Sequence, residues 1–149
     1  MVIDANVMAL YGKNGYKYKN LFSWVNCCGG LCISRALLNE YNRQGSPLVA
    51  ALIDSLLKQG RCSFIKNSTL NSFSQDSNYH YSCNSQDIPV ARTVFRSHRK
   101  LLVSIDAKIR DDVNNFPLVN GIKPSASVVP TTAALIASPG KACAVPAGH

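Results

Sequence analysis

Four short apolar runs recur along the chain, each too brief for a helix, and segments with helical spacing separate them. The runs are Val2-Ile3, Leu31-Cys32-Ile33, Cys62 to Ile65 and Leu101 to Ile105. Apolar runs of this length without alternation suit strands buried on both faces. Between them, Leu21, Phe22, Trp24 and Val25 fall on one helical face that Gly29-Gly30 ends. Ser34 is placed as an N-cap for a helix over Arg35 to Arg43, with Leu37, Leu38 and Tyr41 directed inward. Ser46 and Pro47 open a second helix through Lys58, whose predicted apolar face is Leu48, Leu52, Ile53, Leu56 and Leu57. A further helix spans Asp87 to His98, with Pro89 in its first turn, where a missing N–H costs nothing. A short helix after Asp106 runs through Val113, and Val119 to Ile122 reads as a last strand. Strands alternating with helices predict right-handed crossovers and an α/β fold with a mainly parallel central sheet flanked by helices.

A length of 149 residues suits one domain of this class. The stretch from Lys66 to Gln86 is rich in Ser, Asn and Gln and carries no clear periodicity. From Pro124 onward the composition shifts to Ala, Pro, Ser, Thr and Val. The reading is therefore a domain over residues 1–124 and an Ala/Pro-rich tail over 125–149.

Sixteen Lys and Arg against eight Asp and Glu leave a formal charge of +8. Such a charge serves solubility, and it equally attracts a polyanion such as RNA or DNA. Aromatic residues are only 8% of the chain, which argues against a single-strand binder built on stacking platforms. Met1-Val2-Ile3-Asp4 has no basic region followed by an apolar one, so the reading is a reducing cytoplasm in which the six cysteines are free thiols. Cys27-Cys28-Gly29-Gly30-Leu31-Cys32 lacks a second Cys or His pair at zinc spacing, and ordinary buried cysteine accounts for it better. No apolar run approaches the roughly 20 residues of a membrane span.

With acids this scarce, each can be weighed singly. Asp4 and Asp106 follow apolar strands, and ligands of parallel sheets gather beyond the carboxyl ends of strands. Glu40 lies on the helix that starts at Ser34, and Asp87 opens a helix predicted at the same edge. Converging carboxylates repel and raise one another's pKa unless a cation sits among them. Mg²⁺ or Mn²⁺ is the natural counterweight, being a hard ion that prefers carboxylate oxygen. The competing reading is that each acid caps a helix or makes a surface ion pair, which alone would explain Asp87.

Val2-Ile3-Asp4-Ala5-Asn6-Val7 resembles the opening motif of PIN domains: an apolar strand, Asp, any residue, Asn. Ile33-Ser34-Arg35-Ala36-Leu37-Leu38-Asn39-Glu40-Tyr41 is similar to the family's second block. Asp87 to Asp106, nineteen residues apart, resembles its third and fourth blocks. Over residues 1–123 the resemblance implies a three-layer α/β PIN-like fold. It implies Asp4, Glu40, Asp87 and Asp106 as metal-binding catalytic residues, with Asn6, Ser34 and Ser104 supporting them. It further implies Mg²⁺ or Mn²⁺ as cofactor and hydrolysis of RNA to a 5′-phosphate and a 3′-hydroxyl. Lys108 stands where many relatives carry a further acid, and Pro89 where they often show His. Asp111 and Asp112 are candidates for an extra ligand, although the preferred reading is surface helix residues.

Lys13, Lys17 and Lys19 follow the first strand, Arg35 and Arg43 flank Glu40, and Arg92, Arg96, Arg99 and Lys100 follow Asp87. Of these, Lys13, Arg35, Arg43 and Arg92 are the candidate RNA contacts, of the kind that position a strand without reading it. Small stand-alone members of the family are VapC-type toxins, so the resemblance also implies a homodimer and a cognate antitoxin. The competing functions are a PIN fold that binds RNA or assembles without cutting, and a nuclease acting on DNA structures.

Overall fold

The computed structural model describes residues 1–13 and 16–136. Its strands are β1 (Val2–Ile3), β2 (Leu31–Ser34), β3 (Cys62–Ile65), β4 (Leu101–Val103) and β5 (Ser125–Ser127). The helices are α1 (Ala5–Met8), α2 (Lys19–Cys27), α3 (Arg35–Arg43), α4 (Pro47–Lys58), α5 (Asn67–Asn71), α6 (Ile88–Arg96), α7 (Ala107–Asn115) and α8 (Thr132–Ile136). All strand pairings are parallel: β1 with β4, β4 with β5, and β2 with β3. The Cys32 N–H donates to the Met1 carbonyl at 2.9 Å, which brings β2 alongside β1. The molecule is thus α/β, with a small parallel sheet flanked by helices, as the strand–helix alternation predicts.

Val2, Ile3, Leu102 and Val103 are almost fully buried, which is why the central runs are apolar without alternation. β3 forms an edge and is half-exposed, with Phe64 facing outward. Helix α4 begins as expected, the Ser46 hydroxyl accepting from the Val49 N–H at 3.3 Å with Pro47 behind it. Its buried face is Val49, Leu52, Ile53 and Leu56, whereas Leu48 and Leu57 are 56% and 47% exposed. The face is rotated by one residue because Val49 competes with Leu48 for the inward position, and apolarity alone does not separate them.

The predicted last strand, Val119 to Ile122, is instead a tight turn. Val119 and Ile122 exchange both backbone hydrogen bonds, and Asn120 and Gly121 carry φ of +49° and +77°. Asn-Gly is the pair that tolerates two successive left-handed residues. The outer strand beside β4 lies later, at Ser125–Ser127, with Ser104 N–H donating to the Ser127 carbonyl at 3.1 Å. The Ala/Pro-rich segment therefore enters the sheet at its start, and α8 follows with Leu135 buried. Residues 137–149, where the rest of the proposed tail falls, lie outside the described residues.

The polar stretch before α6 is held by buried groups rather than by periodicity. Phe73 stacks on Phe95 (5.5 Å between centroids), and Phe95 on Phe116 (4.1 Å). Asp112, read from sequence as a surface residue, is only 1% exposed. Its carboxylate accepts from the Ser82 and Cys83 N–H groups, each at 2.8 Å. Arg61 is a second buried charge, and its guanidinium donates to the carbonyls of Val25 (2.6 Å) and Gly29 (2.9 Å) at the end of α2. A Cβ on Gly29 would lie 2.5 Å from the Trp24 ring, so only glycine fits there. Cys27, Cys28, Cys32, Cys62 and Cys83 are free thiols. No described helix is long and apolar enough to cross a membrane.

Candidate functional site

Asp4 leaves β1 in extended conformation and is 9% exposed. One carboxylate oxygen accepts from the Ala5 N–H at 2.8 Å, and the other from the Ser104 hydroxyl at 2.7 Å. Ser104 is a fully used hydroxyl: its lone pairs accept from the Asp106 N–H (3.0 Å) and the Asn6 amide (3.3 Å). Its single proton is therefore directed at Asp4. Asn6 completes the ring, its carbonyl accepting from the Ile105 N–H at 3.2 Å and its amide lying 3.5 Å from Asp4. These bonds join the carboxyl ends of β1 and β4 through the three side chains of Asp4, Asn6 and Ser104. Predicted to run to Ile105, β4 stops at Val103, which frees Ser104 and Ile105 to make these turns.

Asp106 caps α7, accepting from the Lys108 N–H at 2.9 Å, and remains half-exposed. Arg110 reaches back and donates to the carbonyls of Ser104 (3.1 Å) and Ile105 (2.6 Å), closing the junction that carries Asp106. Asp87 ends a 3₁₀ turn over Ser85–Asp87 and precedes α6, yet its side chain makes no capping hydrogen bond. The capping explanation available from sequence therefore fails for Asp87 and holds for Asp106.

Glu40 is brought to the same edge by Tyr41 on α3 and by Gln44, which ends the helix. The Tyr41 hydroxyl donates to the Ile3 carbonyl, and the Gln44 amide to the Ala5 carbonyl at 2.7 Å. Neither was among the expected site residues, although Tyr41 follows Glu40 in the motif. Ser34 does not cap α3; its hydroxyl lies 2.7 Å from the Thr93 hydroxyl, which is also 2.7 Å from the Pro89 carbonyl. Ser34 thus ties β2 to the helix behind Asp87 and hydrogen-bonds to none of the four acids.

Three of the acids respond to the charge of others from separate segments. Burial, and then the charge of Asp106, raise Asp4, with the hydrogen bonds from Ser104 and Ala5 opposing. Burial raises Glu40, and Asp4 and Asp87 raise it further, against Arg43. Burial, then Asp4 and Asp106, raise Asp87. The charges of Asp4, Asp87 and Asp106 thus each act on an acid of another segment, and Glu40 responds to two of them. Among the described residues the only ion pairs are Asp54–Lys58 and Asp76–Arg92, so none of the four is neutralised by contact with a cation.

Among the described residues, no three Asp, Glu, His or Cys side chains form a ready-made metal ligand group. The four acids offer oxygen donors alone, which suits a hard divalent ion that keeps several of its own waters.

The basic candidates separate by environment. Arg35 is exposed, with its guanidinium 5.8 Å from the Phe64 ring centre. Arg43 is exposed on the Glu40 helix. Lys13 lines a groove of about 930 Å³ with Tyr11, Tyr16 and Phe22, none of which is an acid of the site. Arg92 is committed to Asp76, which accepts from it at 2.8 and 3.3 Å. Lys100 is buried, with φ of +56° and its ammonium donating to the Ser97 carbonyl at 2.7 Å. Lys100 is thus no rim contact, and burial, with Arg96 nearby, lowers its pKa.

No protein-family model, curated protein or solved structure matches the chain.

Proposed function

We propose that the protein is a metal-dependent endoribonuclease of the PIN type, with Asp4, Glu40, Asp87 and Asp106 holding Mg²⁺ or Mn²⁺. The observation that supports this reading is that burial and neighbouring acid charge hold Asp4, Glu40 and Asp87 above the ordinary carboxylate range, with no described cation in contact, while Ser104 ties Asp4 to the strand end preceding Asp106. A fold keeps such a cost where a function needs it. When bound, the ion would supply an activated water and neutralise charge on the scissile phosphate. Ser104 and Asn6 orient Asp4 for that task, and Arg110 fixes the junction bearing Asp106. The net charge of +8 favours the approach of RNA. A three-layer PIN fold, cytoplasmic location, a homodimer, a cognate antitoxin and the role of toxin belong to the same proposal and rest on motif resemblance.

A second reading draws on two observations: Lys108 stands where the resemblance expects a further acid, and among the described residues no three acids are gathered as a ligand group. In that reading the chain binds RNA with little or no cutting. Labelled single-stranded RNA incubated with Mg²⁺ or Mn²⁺ separates the two. The nuclease reading expects metal-dependent cleavage that an Asp4→Asn/Asp106→Asn variant loses by at least about a hundredfold. RNA that is bound yet left intact by both proteins, with either metal, would establish the binding module.

A further inference from the structure

Beside the acids, a pocket of about 330 Å³ opens between α3, α5 and α6. Leu70, 4% exposed, and Pro89 give it apolar surface, and the exposed residues Asn39, Asn67, Asn71 and Arg35 line its rim. Arg92 forms a further wall, held in place by its two bonds to Asp76. The helix that carries Glu40 and the helix that follows Asp87 both contribute. Asn39 immediately precedes Glu40, and Ala36, also lining the pocket, lies four residues before Glu40 on the same helical face. That spacing is one helical turn, about 5.4 Å. Pro89 follows Asp87 by two residues.

An apolar floor with carboxamides and a guanidinium around it matches a flat heterocycle that is apolar on its faces and polar at its edge. Carboxamides pair in a two-pronged way with adenine N6 and N7, and guanidinium with guanine O6 and N7. Both are purine edges, and unpaired bases are what proteins read in single-stranded RNA. We propose that this pocket receives one purine base of an RNA strand, adjacent to the phosphate held at the acids. The proposal rests on the nuclease reading and adds a base preference to it.

The test is anisotropy of labelled hexanucleotides in EDTA, where nothing is cut. All-uridine RNA is compared with RNAs carrying one adenine or guanine at each position in turn. Wild-type protein is expected to bind one purine-containing series roughly tenfold more tightly. An Asn39→Ala/Asn71→Ala variant, checked for unchanged thermal unfolding, should lose that preference. Asn67→Ala alone, one turn from Asn71 on α5, should weaken it in part. Equal binding of all-uridine and purine RNAs by wild type, or a preference that survives in the double variant, overturns the pocket assignment. Metal-dependent cleavage with no base preference would leave the nuclease standing and remove the pocket; RNA neither bound nor cut would remove both.

Discussion

Two sets of carboxylates in this molecule are used in opposite ways. At the loop between α5 and α6, burial would push Asp76 up, but hydrogen bonds from Arg92 and Tyr81 outweigh it and hold its carboxyl below the ordinary value. Asp112 behaves alike, with the Ser82 and Cys83 N–H groups overcoming its burial. At the sheet edge the balance is reversed: Asp4, Glu40 and Asp87 remain raised. The first set stabilises the fold in its charged form, and the second is tolerated by it. A satisfied acid and a stranded one look identical in a sequence. What divides them is how many donors the surrounding chain supplies.

The largest effect should come from the satisfied set. Asp112→Ala leaves the Ser82 and Cys83 N–H groups without their acceptor and frees the chain that carries Asp87. Urea unfolding at neutral pH should show a loss of about 3 kcal/mol, with Asp112→Asn losing less because it keeps one acceptor. A loss below about 1 kcal/mol for the alanine would mean that the aromatic stack of Phe73, Phe95 and Phe116 anchors this loop instead.

A pH titration of stability should expose both sets at once. A carboxyl raised in the folded state binds protons there that it would not bind unfolded, so its cost is relieved as pH falls through the raised value. Lowered carboxyls contribute stability that is full above their ordinary value and is lost as pH falls below it. In metal-free buffer, stability should therefore rise on acidification from neutrality, pass a maximum, then fall as Asp76 and Asp112 protonate. Saturating Mg²⁺ should add stability at neutral pH, about 2.7 kcal/mol at a hundred times its Kd, and abolish the rise. A profile that declines monotonically from neutrality, unchanged by Mg²⁺ or Mn²⁺, would place the edge acids among ordinary surface groups.

This comparison also marks what was legible beforehand. Strand–helix alternation was readable because buried parallel strands need apolar side chains on both faces, and Asp4 and Asp106 stand where those runs stop. The bond from Ser104 to Asp4 joins residues one hundred positions apart, and only the motif resemblance suggested it. Asp112 and Arg61 were hidden for a different reason. A buried charge is held by backbone groups, and backbone groups carry no signal in side-chain identity. The Asn120-Gly121 turn is the opposite case, a local signal present in the sequence but masked by the apolar Val119 and Ile122 that flank it.

The smallest effect makes the sharpest comparison, because one substitution type should act with opposite signs at two acids of the segment that leads into α6. Asp76→Asn removes the charge that pairs with Arg92 and accepts from Tyr81, so thermal unfolding should fall. Asp87→Asn keeps the size of a side chain that makes no capping bond and removes repulsion from Asp4 and Asp106. Its unfolding midpoint in EDTA should rise slightly, by the equivalent of less than about 1 kcal/mol, since Asp87 is partly exposed and solvent screens it. Mg²⁺ should then stabilise the Asp87→Asn variant less than it stabilises wild type, because one oxygen donor has lost its charge. A lowered midpoint at Asp87→Asn, with the Mg²⁺ response intact, would make Asp87 a structural acid like Asp76 and reduce the edge cluster to three.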